Sequence, residues 1–315
     1  MPETHDQLDH SSAASAVQPR LMLVHAHPDD ETSQTGATMA KAVADGNKVT
    51  LVTCTLGEEG EVLVPELAHL ASTQEDGLGP HRLTELHAAM AELGVSDYVR
   101  LGGDGKFRDS GMATDDDGNV IPAETAPDNC FWRTDLLVAA DELVPLIRDR
   151  RPHVIITYNQ FGGYGHPDHI QAHRVAMYGA QLAAARAYRP DLGDAWQVPR
   201  ILWSTWAEGT MREGIRRARA AGNEDFFGGM DPDGPLPPMV TPDDLIDVVV
   251  DGSAHLAAKV AALRAHASQV DFNDSFWKAM TGDALWAIEH FIQAQGVPFP
   301  ADGNDHDLYA GIDLQ

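Results

Sequence analysis

Short apolar runs alternate with helix-like stretches through the first two-thirds of the chain. That alternation restricts the fold more than any other feature. LMLVHAH (21–27) reads as a strand, followed by a helical stretch around 35–45 that stops near Gly46. VTLVTCT (49–55), YVRLG (98–102), HVIITY (153–158) and ILWSTW (201–206) repeat the strand pattern. Helical stretches fall at about 80–93, 132–149, 167–187 and 208–221, with Pro145 as a blemish inside one of them. Strand–helix alternation implies an α/β fold: a Rossmann-like, mostly parallel sheet with helices on both faces. Residues 103–131 are rich in Gly and Asp and show little periodicity. A stretch that long without pattern inside a domain is usually functional or disordered. After about residue 222 the alternation breaks. A Gly/Pro/Asp-rich segment (223–244) precedes DVVVDG (247–252) and helices expected near 253–268 and 275–294. The expected division is a disordered tail (1–19), a Rossmann-like domain (20–200) and a smaller C-terminal subdomain (201–315).

Composition narrows the partners. The 315 residues carry 22 Lys+Arg against 48 Asp+Glu, a formal net charge of −26. Nucleic acids and anionic membrane surfaces are polyanions that need a basic footprint, so neither is an expected partner. The hydrophobic share of 43% is ordinary for a globular chain and argues against global disorder. Cys54 and Cys130 form no C-x-x-C pattern, which excludes a disulfide framework and suits a reducing compartment. No signal-peptide pattern or membrane-length apolar run stands out, so the expected location is the cytoplasm.

In an open parallel sheet, ligands bind at the carboxyl ends of the strands. The first strand runs straight into His25-Ala26-His27-Pro28-Asp29-Asp30-Glu31. The glycine fingerprint of a dinucleotide site, G-x-G-x-x-G, is absent from that turn. The strand at 153–158 leads through a Gly-rich loop to Tyr164-Gly165-His166-Pro167-Asp168-His169. Two His/Asp clusters at two strand ends can converge on one metal. Two imidazoles and a carboxylate with a position left for water make a catalytic zinc arrangement. His25, the last residue before that turn's Ala26-His27, is read as a structural histidine.

These motifs resemble those of the zinc-dependent LmbE/PIG-L deacetylases. VHAHPDDE, VTCTLGEEGEV, RDSGM, RPHVIITY and GGYGHPDH resemble the branch that acts in mycothiol biosynthesis. The likeness covers roughly residues 20–270 and is strongest through 175. It implies hydrolysis of the N-acetyl amide of N-acetylglucosaminyl-inositol to acetate and glucosaminyl-inositol. It implies His27, Asp30 and His169 as metal ligands, with Zn²⁺ as cofactor and Fe²⁺ as the alternative. Asp29 is then the general base, and the bland reading makes it a second metal ligand or a helix N-cap. His166 is the acid, tuned by Asp168, and Tyr164 a donor to the oxyanion. Sequence alone also permits the swap in which His166 is the ligand and His169 the acid. Glu61, Arg82, Asp109 and Met112 match substrate-pocket positions, where polar groups suit a polyol-bearing amino sugar. Glu31 supports the site from the helix start, and Cys54 is an inert buried thiol. Two alternatives stand beside this: a mycothiol S-conjugate amidase, which shares the metal motifs, and a non-catalytic metal- or sugar-binding protein.

Overall fold

The computed structural model describes residues 17–116, 118–301 and 306–314. Residues 1–16 of the expected tail lie outside the described residues. Each apolar run named above forms a strand, with ends shifted by one or two residues. β1 (Arg20–His25), β2 (Lys48–Thr53) and β3 (Asp97–Arg100) are parallel neighbours. The chain then passes through β4 (Met112–Thr114) and β5 (Val120–Pro122), an antiparallel hairpin inside the stretch that lacked periodicity. β6 (Val154–Tyr158) returns to pair with the free side of β1, and β7 (Arg200–Ala207) lies beside β6, both parallel. The sheet order is therefore β3-β2-β1-β6-β7, and the strand order reverses between β1 and β6. Beyond residue 207 the chain adds to the same sheet. β8 (Val240–Thr241) pairs with the end of β7, and β10 (Ile288–Gly296) pairs antiparallel with β7 and with β9 (Val248–Asp251).

Period-two alternation sorts the strand residues onto two cores. Leu21 and Leu23 pack in one apolar cluster with Met39 of α1 (Asp30–Ala44), Leu86 and Met90 of α2 (Leu78–Leu93), and Ala262, which lies on α7. Met22 and Val24 face the other way, onto Leu143 and Ile147 of α3 (Leu136–Arg150) and Val175 of α5 (Pro167–Ala184). Both faces are thus covered, which is why the strands read as continuous apolar runs. Short α4 (Gly162–Gly165) precedes α5. A third, smaller core joins Met211 and Ile215 of α6 (Glu208–Ala220), Phe226, Trp286 and Met280, which sits on α8. α7 spans Leu256–Ala265 and α8 spans Ser275–Gly282.

Two expectations need correction. The helix expected at 275–294 ends at Gly282, and Ile288–Gly296 is strand β10. Ile288, Phe291 and Ile292 are spaced as on a helix face, but hydrogen-bonding to both β7 and β9 outweighs that local pattern. α1 begins at Asp30, five residues before the expected start, because polar residues of its first turns are buried: Glu31, Thr32 and Thr35 are all inaccessible. α3 runs through Pro145 to Arg150, and its N-cap Asp135 accepts from Leu137 N (2.9 Å) and Val138 N (3.3 Å).

α1 is also fixed from the C-terminal side. Glu289 of β10 accepts hydrogen bonds from Ala37 N (3.1 Å) and Thr38 N (2.7 Å) in the middle of α1. Lys259 of α7 donates to Glu289 (2.8 Å) and to Trp286 O (2.9 Å). No helix among the described residues is long and apolar enough to cross a membrane. Cys54 and Cys130 are both free and buried.

Candidate metal centre

β1 and β6 are adjacent strands at the reversal of strand order, where loops to either side diverge and leave a crevice. The turn after β1 carries His27, Asp29 and Asp30, and the turn after β6 carries Tyr164, His166, Asp168 and His169. The fold brings the two turns together. Asp30 sits between two imidazoles: its Oδ2 is 3.1 Å from His27 Nδ1, and its Oδ1 is 3.3 Å from His169 Nε2. His27 Nε2 lies 3.3 Å from Asp168 Oδ2 and 3.5 Å from Asp109 Oδ1. Ligand atoms of His27, His166 and His169 lie within 4.8 Å of one another, as do those of His27, Asp109 and Asp168.

The backbone sets the tautomers of the two histidines on the second turn, and sets them oppositely. His169 Nδ1 lies 3.1 Å from Gly162 O, so it carries the proton and its Nε2 offers a lone pair to the site. That Nε2 is buried and has no hydrogen-bond partner. His166 Nδ1 instead accepts the N–H of Asp168 (3.1 Å), so the neutral ring carries its proton on Nε2. Gly162 is required for this arrangement. A Cβ there would come within 2.8 Å of His169 Cβ and 2.7 Å of Ile170 N, and its φ is +63°. The His169 ring stacks on Tyr158 with centroids 4.3 Å apart. The Tyr158 hydroxyl accepts from Ala26 N (2.9 Å), which ties the end of β6 to the turn after β1.

Asp29 has φ +101° and ψ −31°, a conformation that costs an L-residue other than glycine about 1–3 kcal/mol. It occupies the N-cap position of α1, its carbonyl accepting from Ser33 N (2.9 Å), and its side chain makes no capping bond there. Its carboxylate accepts from Arg82 Nη2 (3.1 Å), and its N–H donates to Glu31 Oε2 (2.9 Å). Burial raises Asp29 to about 6, with Arg82 pulling down and Asp30 and Glu31 pushing further up. Burial alone would lower His27, but Asp109, Asp168 and Asp30 outweigh it and hold the ring well above its ordinary value. Burial beside His27 and His169 takes His166 down to about 2, in keeping with its acceptor Nδ1.

The substrate-pocket candidates separate. Asp109 is buried beside His27 and accepts from Gly111 N (2.9 Å) and Glu59 N (3.2 Å). Met112 is 52% exposed on the β4–β5 hairpin, and Glu61 is exposed with its backbone carbonyl bonded to Gln269 Nε2 (3.0 Å). Arg82 is only 3% exposed, and its guanidinium is taken up by Gly57 O, Pro28 O and Asp29. Those contacts turn it toward the turn that carries Asp29. Tyr164 is 47% exposed, its ring 5.0 Å from that of His169 and 6.2 Å from that of His166. Two residues were missed. Ser110 N donates to Asp168 Oδ2 (2.8 Å) and its hydroxyl to Oδ1, so the RDSGM segment anchors on the site. His266 pairs with Glu31 (2.9 Å). Ser110 lies inside a quoted motif, but nothing local marks His266.

The donor set fits a divalent metal. It combines imidazole nitrogens with a carboxylate, as mixed N/O sites do, and it includes a buried imidazole nitrogen with no partner of its own.

A parallel α/β sheet bearing a His/Asp group that can hold a metal at its strand-order reversal defines a class of metal-site α/β proteins. Within that class the family is shown by comparison: residues 22–179 match the model of PIG-L, GlcNAc-PI de-N-acetylase, and the chain belongs to this family. It is 55% identical over 297 residues to the 1D-myo-inositol 2-acetamido-2-deoxy-alpha-D-glucopyranoside deacetylase of Kribbella flavida, covering 93% of this chain and 98% of that one. Among solved structures it resembles the N,N'-diacetylchitobiose deacetylase of Pyrococcus horikoshii, with TM-score 0.56, 16% identity, and coverage of 87% and 83%. It also resembles GalB, the 4-carboxy-2-hydroxymuconate hydratase of Pseudomonas putida, with TM-score 0.55, 16% identity, and coverage of 88% and 97%. At those identities the likeness concerns the fold, and two different named reactions sit on it.

Proposed function

We propose that this chain hydrolyses the N-acetyl amide of 1D-myo-inositol 2-acetamido-2-deoxy-α-D-glucopyranoside, releasing acetate and the free amine in mycothiol biosynthesis. The observation that carries the substrate is the 55% identity along nearly the full length of both this chain and the Kribbella flavida deacetylase. The geometry supports the reaction type. His27, Asp30 and His169 would hold the metal, since Asp30 lies between the two rings and His169 Nε2 is a free lone pair. We assign Zn²⁺, with Fe²⁺ as the alternative that the same donors accept. Bound there, the metal supplies Lewis acidity to the amide carbonyl and to water.

The remaining steps belong to the chain's own residues. Asp29 accepts the proton of the attacking water at its carboxylate, which Arg82 orients. Tyr164 donates to the carbonyl oxygen as negative charge develops on it. The proton that Asp29 took from water passes to the departing amine as its C–N bond breaks, and His166, neutral with its N–H at Nε2, donates a hydrogen bond to the tetrahedral intermediate. The Asp168 N–H on Nδ1 fixes that orientation, and the Asp168 carboxylate anchors Ser110 and faces His27. The opposite tautomers support His169 as ligand and His166 as a hydrogen-bond donor to the intermediate, not the reverse. Asp109 and Met112 are assigned to the sugar, and Glu61 to the rim of the pocket. Two free thiols and the acidic charge suit a cytoplasmic enzyme with a small-molecule substrate.

The test is acetate release by metal-stripped protein, alone and with Zn²⁺ or Fe²⁺ restored, with the mycothiol S-conjugate amide as competitor substrate. Metal-restored release from the N-acetyl sugar, faster than from the conjugate, is expected. Folded, metal-loaded protein that leaves the N-acetyl sugar intact would refute the proposal.

A further inference from the structure

Asp29 holds a left-handed backbone conformation without being glycine, and such a conformation persists only where the surroundings impose it. On the amide side the imposing group is Glu31. Its Oε2 accepts the Asp29 N–H at 2.9 Å. Its Oε1 accepts from Thr32 Oγ1 at 2.6 Å and lies 2.9 Å from His266 Nε2. The Glu31 and His266 side chains are both wholly inaccessible, so neither reaches the pocket. His266 caps the C-terminal end of α7, more than two hundred residues away in the chain. A buried carboxylate–imidazole pair is a poor way to gain stability, because desolvation offsets most of its attraction. What this pair does in the structure is aim one oxygen at one amide.

From this geometry we propose that Glu31 and His266 are positioning residues for Asp29. His266 fixes the rotamer of Glu31, Glu31 holds the Asp29 peptide in its left-handed conformation, and that conformation presents the Asp29 carboxylate to the crevice. The C-terminal segment thereby sets the geometry of the proton acceptor without touching substrate. This rests on the reading of Asp29 as that acceptor. With Asp29 at an ordinary negative φ, its N–H would turn away from Glu31 and its carboxylate away from Arg82.

Two substitutions break the device, Glu31→Ala and His266→Leu, and Glu31→Gln keeps an acceptor for the Asp29 N–H. Metal content, kcat and KM for acetate release are measured for each, alone and in an Asp29→Ala background. The disruptive variants are expected to lower kcat about 10- to 100-fold, with KM and metal content little changed. Glu31→Gln is expected to recover most of that loss, because an acceptor and not a charge is needed. In the Asp29→Ala background the same substitutions should change the residual rate by less than about twofold. Equal losses with and without Asp29, or losses that follow metal content, overturn the proposal. Should Glu31→Ala not fold, His266→Leu carries the same comparison. Crystal structures of Glu31→Ala or His266→Leu give a readout that needs no substrate. Asp29 moving to negative φ supports the proposal, and Asp29 remaining near its present conformation refutes it. Wild-type protein that releases no acetate would sink the functional reading, and the crystal structures would still decide the positioning role.

Discussion

Replacing Lys259 by Met removes the ammonium from a buried ion pair and leaves its partner carboxylate without a counter-charge. The side chains of Lys259 and Glu289 are 3% and 4% exposed, with Nζ 2.8 Å from Oε1. Met has a similar unbranched stem, so little packing is lost. Breaking one half of a buried ion pair costs about 3–5 kcal/mol, because a desolvated charge remains. Glu289 keeps the Ala37 and Thr38 amides, which places the cost toward the lower end. Trp286 O also loses its donor, adding about 1 kcal/mol. The sum is about 4 kcal/mol. Urea unfolding of metal-stripped protein measures it as a lower midpoint at unchanged m. A second substitution, Glu289→Gln, is expected to recover part of the loss, since the amide oxygen still accepts from α1 and no charge is stranded. A loss below about 1 kcal/mol for Lys259→Met would refute the reasoning, because the pair would then behave like an exposed one.

Asp29→Ala is expected to lower kcat by about 10²–10⁴ while metal content stays at the wild-type level; unchanged turnover would remove Asp29 from the mechanism. Gly57→Ala places a Cβ 2.0 Å from Arg82 Nη1 at φ +68°, so Arg82 must leave Gly57 O and with it the Asp29 turn. A loss of both stability and kcat is expected by urea unfolding and acetate release, and wild-type values in both would count against that role for Arg82. His290 is lowered below its ordinary 6.5 by burial, which Asp243 only partly offsets. The unfolded chain therefore binds the extra proton first, and stability falls as pH drops from about 6.5 toward the lower folded value. His290→Gln is expected to flatten that fall between pH 7.5 and 5.5, measured by urea midpoints, and an unaltered slope would rule it out.

The sheet was legible because both its faces are buried, which writes β1, β2, β6 and β7 as uninterrupted apolar runs. The two metal-facing turns were legible because the chemistry is concentrated in short segments directly after β1 and close behind β6. Four things were not legible, each for a physical reason. Ile288–Gly296 has helical spacing and becomes a strand only because β7 and β9 offer hydrogen-bonding edges on both sides. The first turn of α1 looks like a polar loop because its polar side chains are buried and bonded within the site, as with His25 Nε2 and Thr35 Oγ1 at 3.0 Å. Arg82 has the composition of a substrate ligand, and only the positions of Gly57 O and Pro28 O reveal where its donors are spent. His266 has no local signature because its partner, Glu31, lies 235 residues earlier in the chain.

Asp29 and Asp30 are consecutive, so their Cα atoms stay about 3.8 Å apart whatever the rest of the molecule does. His166 and His169 are tied to those two acids only through the seam between β1 and β6 and the carboxylate contacts across it. Any widening of the seam therefore moves the two histidines away from Asp29 and Asp30 while the spacing within that pair stays fixed.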